Sequence, residues 1–351
     1  MEEKKLGLGN VVSISVGLVI ATSCLVSLGE GAGTLGVTFI LAMVIAMLLN
    51  MTTIASLSEL NALMPNTTGG LAQYTLAALG PFPTLISMVG GYIICNTLSC
   101  GVEASIFSFS LADIIGGNIP SIVYTLIMTV IILIANLRGV DMFAKIQDVV
   151  AFLLVGSLVV MGFIGMIGMG TGVKINQPAV LEADFGSIAS MTAVAFWLFI
   201  GAEYAIPVSK EVKNAKRNVP LGMMIGLFLI FIMQSIMVLG FHNYVEWGEL
   251  ADSAAPHLLY GYAVLGNAGK IWMMLVGALA VISTQNSTVN SLAVICQGMA
   301  KMNMLPKVFA KTNKHNVPWF GQVFVSSAIF LFAFVSDNSA DMIDLNALGG
   351  N

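Results

Sequence analysis

Charge is the scarcest property of this chain. Of its 351 residues only 14 are Lys or Arg and 18 are Asp or Glu, 9% together, where a soluble domain carries about 25%. A water-soluble enzyme is excluded, because a globular chain needs a charged surface and 57% of this one is hydrophobic. The net charge is −4 and no run of Lys and Arg could track a phosphate backbone, so nucleic acid is excluded as a partner. Cysteine is equally sparse. Cys24, Cys95, Cys100 and Cys296 all sit in apolar runs without a CxxC or CxxH spacing, and they read as small hydrophobes. The three histidines, His242, His257 and His315, are too scattered to suggest a metal site. With no His, Asp or Glu cluster at ligand or triad spacing, neither an enzyme nor a bound cofactor or metal is expected.

What the chain has instead is long apolar runs. Nine stretches near 20 residues, at 10–29, 36–58, 84–112, 121–137, 146–168, 187–207, 221–242, 270–296 and 318–336, are the length a helix needs to cross a bilayer, and predict an all-α integral membrane protein. The first run follows Lys4 and Lys5 but is too long for a signal peptide, and a second span follows almost at once. The 22 methionines fit adaptable packing in such a setting. With the N-terminus in the cytoplasm, twelve of the fourteen Lys and Arg fall inside and only Lys174 and Lys270 outside, which is the charge bias that sets membrane orientation. The segment with Glu246, Glu249 and Asp252 then lies outside, as does Asn351.

One span carries more than hydrophobicity. In Phe196-Trp197-Leu198-Phe199-Ile200-Gly201-Ala202-Glu203 an acid lies deep in apolar sequence, where a charged form costs about 2.5–3.5 kcal/mol. Gly201 permits the backbone to leave the helical ladder, which at membrane depth is tolerated only where the freed groups line a cavity. Trp197 and Phe199 supply aromatic walls beside that point. The alternative is a glycine that lets two helices pack closely and a neutral, hydrogen-bonded Glu203.

This FWLFIGAE segment, with Glu211-Val212-Lys213-Asn214-Ala215-Lys216-Arg217-Asn218-Val219-Pro220 after it, resembles the sixth span and following loop of the amino acid–polyamine–organocation (APC) superfamily of permeases, with Ala215 where Pro is usual. A second matching segment is Ser58-Glu59-Leu60 through Pro65 to Gly69-Gly70, Tyr74 and Ala78-Leu79-Gly80-Pro81. A third is Gly298-Met299-Ala300-Lys301 with Met304-Leu305-Pro306-Lys307 and Val317-Pro318. The three occur in family order over essentially the whole chain.

The resemblance implies the five-plus-five inverted repeat fold of the leucine-transporter type, with residues 1–168 as the first repeat and 187–351 as an incomplete second. It implies a secondary active transporter of amino acids or related amines in the plasma membrane, working by alternating access. Substrate would sit between broken spans one and six. In span one the family's break aligns with Ala21, Thr22 and Ser23, whose hydroxyls could bond freed backbone groups or serve as packing glue. In span six it aligns with Ile200, Gly201 and Ala202, with Trp197 as a closing aromatic or an ordinary packing residue. Glu203, and in span three Glu103, are candidates for proton handling or gating, or for recognition of an amine. The span-five position where some members carry a lysine holds Leu154. Ser283, Thr284 and Ser287 in span eight offer oxygens for sodium, while exchange against a counter-substrate needs no ion. Against the family's usual twelve spans, the chain is expected to lack span ten and the later spans, with Asp341 to Asn351 as the lead-in. A channel or a transporter-like receptor is the alternative of another class, although a channel would ask for pore-lining polar or charged rings.

Overall fold

The computed structural model of the chain describes residues 6–64, 68, 70–115 and 119–337. Lys4, Lys5, Pro65, Gly69 and the segment after residue 337 lie outside the described residues. The described residues form thirteen α-helices with short 3₁₀ and π pieces and two isolated β-bridges.

Both faces of the long helices are apolar, as lipid on one side and protein on the other require. Helix α8 (Val140–Met166) buries Leu154, Leu158 and Met161 while Phe152, Leu153 and Phe163 stay exposed. Among the described residues, seven helices are long and apolar enough to cross a membrane, or eight if one bent pair counts as a span. That pair is α1 (Leu8–Val19) and α2 (Thr22–Leu35), bent by 65°. The others are α3 (Phe39–Leu63), the run Pro81–Ser108 that ends in α6 (Cys95–Ile115), α8, the segment Phe185–Ala205 begun by α9 (Phe185–Trp197), α10 (Ala215–Tyr244), α12 (Pro256–Lys301) and α13 (Trp319–Asp337). The run Pro81–Ser108 opens with α5 (Pro81–Leu85), and between the spans lie the short α4 (Leu71–Leu79) and α11 (Trp247–Ala251).

Two runs depart from simple spans. The run at 121–137 becomes α7 (Ser121–Asn136), only 16 residues or about 24 Å of rise, because Pro120 starts it and the turn to Gly139 ends it. Helix α12 folds at Leu265 and Gly266, the latter at φ 61°, so the run expected at 270–296 forms only its second limb. The first limb folds back: Gly261 and Gly269 approach so closely that a Cβ on Gly269 would lie 1.9 Å from the Gly261 carbonyl.

Packing places α1 against α10, α8 and α12, and α10 against α8 and α3. Each isolated bridge joins the neighbourhoods of the first and sixth spans. Leu6 N–H donates to Glu211 O at 2.7 Å and Lys213 N–H to Leu6 O at 2.8 Å. Ahead of α3, Val37 N–H donates to Ala179 O at 2.8 Å, beside a bridge between Gly36 and Val180.

Candidate functional site

The first span is broken at Ile20 and Ala21. Ile20 has φ −86° and ψ 74°, outside the helical region, and Ala21 is extended. The resemblance puts the break at Ala21, Thr22 and Ser23. Ala21 is in it, whereas Thr22 and Ser23 already form the first turn of α2. No glycine is needed, since both residues keep negative φ values that any L-residue adopts.

The sixth span comes apart at the residues expected to form a hinge. Helix α9 opens with Asp184 as its N-cap, whose carboxylate accepts from Ser187 N–H at 2.7 Å and Ser187 Oγ–H at 2.6 Å. These two bonds hold the Asp184 carboxyl below the usual carboxylate range. At its other end α9 stops at Trp197 and tightens into i→i+3 turns through Leu198, Phe199 and Ile200. Gly201 then takes φ 119° and a 3₁₀ turn runs from Ala202 to Ala205. A Cβ at Gly201 would lie 2.9 Å from Leu18 Cδ2, so the two broken spans touch at this glycine.

Unwinding frees backbone groups, and a dry interior demands partners for them. Four helices provide one each. Asn50 of α3 donates to Phe196 O at 3.4 Å and Gln234 of α10 to Leu198 O at 3.4 Å. Ser15 of α1 donates to Ala202 O at 3.4 Å, and Ser291 of α12 to Tyr204 O at 3.2 Å. Glu203 turns back on its own segment, its Oε2 accepting from Gly201 N–H at 2.9 Å. The sequence reading misses Asn50, Gln234, Ser15 and Ser291. Their only signal is that they are polar residues in helices otherwise apolar enough to cross a membrane.

The second acid lies at the first break. Glu103, buried on α6, accepts from Ser23 Oγ–H at 2.7 Å through Oε1, while its Oε2 has no partner. One helical turn earlier, Cys100 donates to Thr288 Oγ1 at 3.2 Å, which joins α6 to the polar stretch of α12. Along that stretch Thr284 and Ser287 are buried with unpartnered hydroxyls, but the Ser283 hydroxyl accepts from Gln147 at 2.7 Å. Of the three residues expected to offer oxygens to sodium, Ser283 alone thus has a hydrogen-bond partner on its hydroxyl. Leu154 is fully buried on α8. Thr22, Trp197 and Ile200 remain partly exposed beside the breaks, and Tyr92 and Tyr204 face each other with ring centroids 5.8 Å apart. Among the described residues no group of three His, Cys, Asp or Glu is placed to hold a metal ion.

A bundle of apolar helices with two broken spans in contact defines a class of fold, and solved transporter structures match it. One is a substrate-bound, outward-open Na⁺-coupled sialic acid symporter, with a TM-score of 0.66 at 11% identity over 99% of this chain and 78% of the other. Another is a mutant of the Eremococcus coleocola manganese transporter, with a TM-score of 0.64 at 14% identity over 98% of this chain and 74% of that one. At such identities the likeness establishes the fold, that of leucine-transporter-type solute transporters.

The chain belongs to the amino acid permease family, within the APC superfamily, matching it over residues 10–345. It is 25% identical over 242 residues, 67% of this chain, to the L-methionine/branched-chain amino acid exporter YjeH of Escherichia coli (strain K12). It is 24% identical over 308 residues, 81% of this chain, to a Clostridium perfringens (strain 13 / Type A) protein named as an amino-acid transporter, CPE0389. The chain spans 56% and 63% of the length of these two relatives respectively.

Proposed function

We propose that this protein moves amino acids or related amines across the plasma membrane by alternating access, with residues 1–168 and 187–351 as its two inverted repeats. The observation that carries the reading is the contact of two broken spans, Leu18 of α1, just before the break at Ile20–Ala21, with Gly201 of the sixth, in the interior of a permease-family fold. Substrate sits between Ala21, Thr22 and Ser23 on one side and Trp197, Ile200, Gly201 and Ala202 on the other. The N-terminus of α2 directs partial positive charge at a substrate carboxylate. Trp197, at the end of α9 and partly exposed, closes over the bound molecule. Glu203 holds the sixth-span hinge through its bond to Gly201, and Glu103, with one oxygen unpaired, receives the substrate amine or a proton. The distribution of Lys and Arg supports a cytoplasmic N-terminus. Coupling runs through sodium at Ser283, Thr284 and Ser287 or through a counter-substrate, and not through a span-five lysine, since Leu154 stands there.

The test is uptake by the purified protein in proteoliposomes, with a panel of labelled amino acids and amines in competition. Saturable, stereoselective flux is expected. Linear ion conductance would favour a channel instead, and binding without flux a receptor.

A further inference from the structure

Lysine side chains repel one another, and a fold that brings two together normally sets a carboxylate between them. Here two meet on a neutral oxygen. Lys210, in the 3₁₀ turn Ser209–Glu211 that follows the broken sixth span, donates from Nζ to Thr68 Oγ1 at 2.7 Å. Lys301, the last residue of α12, donates from Nζ to the same oxygen at 3.3 Å. The two ammonium groups therefore lie no farther apart than these two bonds laid end to end. Neither forms an ion pair among the described residues, and Glu211, the acid next to Lys210 in sequence, has a partner of its own.

The chain around Thr68 is seated against both lysine-bearing elements. Two residues on, Gly70 lies so near the sixth-span segment that a Cβ there would stand 2.8 Å from Ile206 Cγ2. It leads directly into α4, which packs against α12. Three separate stretches of chain thus deliver one hydroxyl and two cations to a single point. The C-terminus of α12 accounts for Lys301, since the partial negative charge of a helix end attracts a cation. It does not account for a second lysine brought in by another turn. The Thr68 oxygen accepts both bonds through its two lone pairs, but it carries no net charge to offset them, and each ammonium keeps two further N–H donors.

An anion with several oxygens offsets both charges and takes up those donors, and a phosphate group is such an anion. The position of the lysines favours a lipid as its source. Lys301 closes an apolar helix long enough to cross a membrane, and both lysines are exposed, which sets their ammonium groups where long basic side chains reach phospholipid headgroups. We propose that Lys210, Lys301 and Thr68 bind the phosphate group of an anionic phospholipid at the membrane surface, tying the turn after the sixth span to the end of α12. In the orientation proposed above this is the cytoplasmic leaflet. Binding does not require that the protein transport, so it is read from unfolding and not from flux.

The full chain is unfolded by heat in detergent with added phosphatidylglycerol, phosphatidylcholine or inorganic phosphate. A ligand held only by the folded protein raises the midpoint. Phosphatidylglycerol should raise that of the parent by at least about 3 °C more than phosphatidylcholine does. That gain should fall by half or more between about 0.05 M and about 0.5 M sodium chloride. Lys210→Gln and Lys301→Gln should each lose most of it, while Lys314→Gln, the same charge change at another exposed lysine, should keep it. Lys301→Arg preserves the cation and should retain at least half, which separates lost charge from lost packing. Equal effects of the two lipids on the parent, a gain undiminished in Lys210→Gln and Lys301→Gln, or an equal loss in Lys314→Gln would each overturn the proposal. A gain from inorganic phosphate with none from phosphatidylglycerol would overturn the lipid and make a soluble phosphate the occupant. If the Gln variants do not fold, the lipid comparison and salt dependence of the parent, together with Lys301→Arg, still decide.

Discussion

At the scale of single residues, the sixth-span hinge is held by a glycine in a conformation closed to other residues. Gly201→Val would add a β-branched side chain at φ 119°, with its Cβ 2.9 Å from Leu18. Transport should be abolished while the protein is recovered in the membrane fraction at the parent's level, because the span only becomes more apolar. Glu203→Gln retains an oxygen for Gly201 N–H and should keep transport within a few fold. Glu203→Leu leaves that buried amide unbonded, a loss of about 1–3 kcal/mol, and should lower flux at least tenfold. A changed pH profile in the Gln variant would give Glu203 a proton to carry as well. Gly201 and Glu203 were legible in the sequence because a glycine and an acid are out of character in an apolar span. Asn50 and Gln234 were not, because which carbonyl an amide reaches depends on the neighbour that packing brings to it.

At the scale of elements, legibility followed the strength of the local signal. Apolar length located the helices, but it did not reveal the fold at Leu265 and Gly266 in α12, because the limb before it, from Pro256, is too short to register as a span. Nor did any glycine or proline mark the break at Ile20, where the backbone leaves the helical region at negative φ. Helix α9 shows the opposite case, a start fixed locally by its cap. The Asp184 carboxylate is held below the usual carboxylate range by its bonds to Ser187, so its contribution is complete above about pH 4 and is lost as pH falls through its lowered value. Asp184→Ala should lower the unfolding midpoint at neutral pH, Asp184→Asn should lower it less, and the gap between parent and Ala should narrow in strong acid. Equal midpoints for parent and Ala at neutral pH would remove the cap from the account of α9.

At the scale of the whole molecule, the membrane class was plain from composition, and family membership from three motifs spread along the chain. What they could not convey is how the pieces are tied together. Asn10 of α1 donates to Asp148 of α8, a side-chain contact that motion can break and remake. The link from Leu6 to Glu211 and Lys213 is different, a pair of backbone bonds that side-chain changes leave in place. The Gly36–Val180 bridge makes a similar join beside α2 and ahead of α9. Each broken helix is thus yoked to its counterpart near both ends, like a pair of levers with shared handles, and swinging one half carries the corresponding half of the other. A disulfide from Leu6→Cys with Val212→Cys should therefore leave flux close to the parent's, because it rivets parts that travel together. One from Asn10→Cys with Asp148→Cys should halt flux until reduced, because it rivets the lever to its frame. Arrest by the first pair and tolerance of the second would mean that the seam between moving and stationary parts runs on the other side of α1.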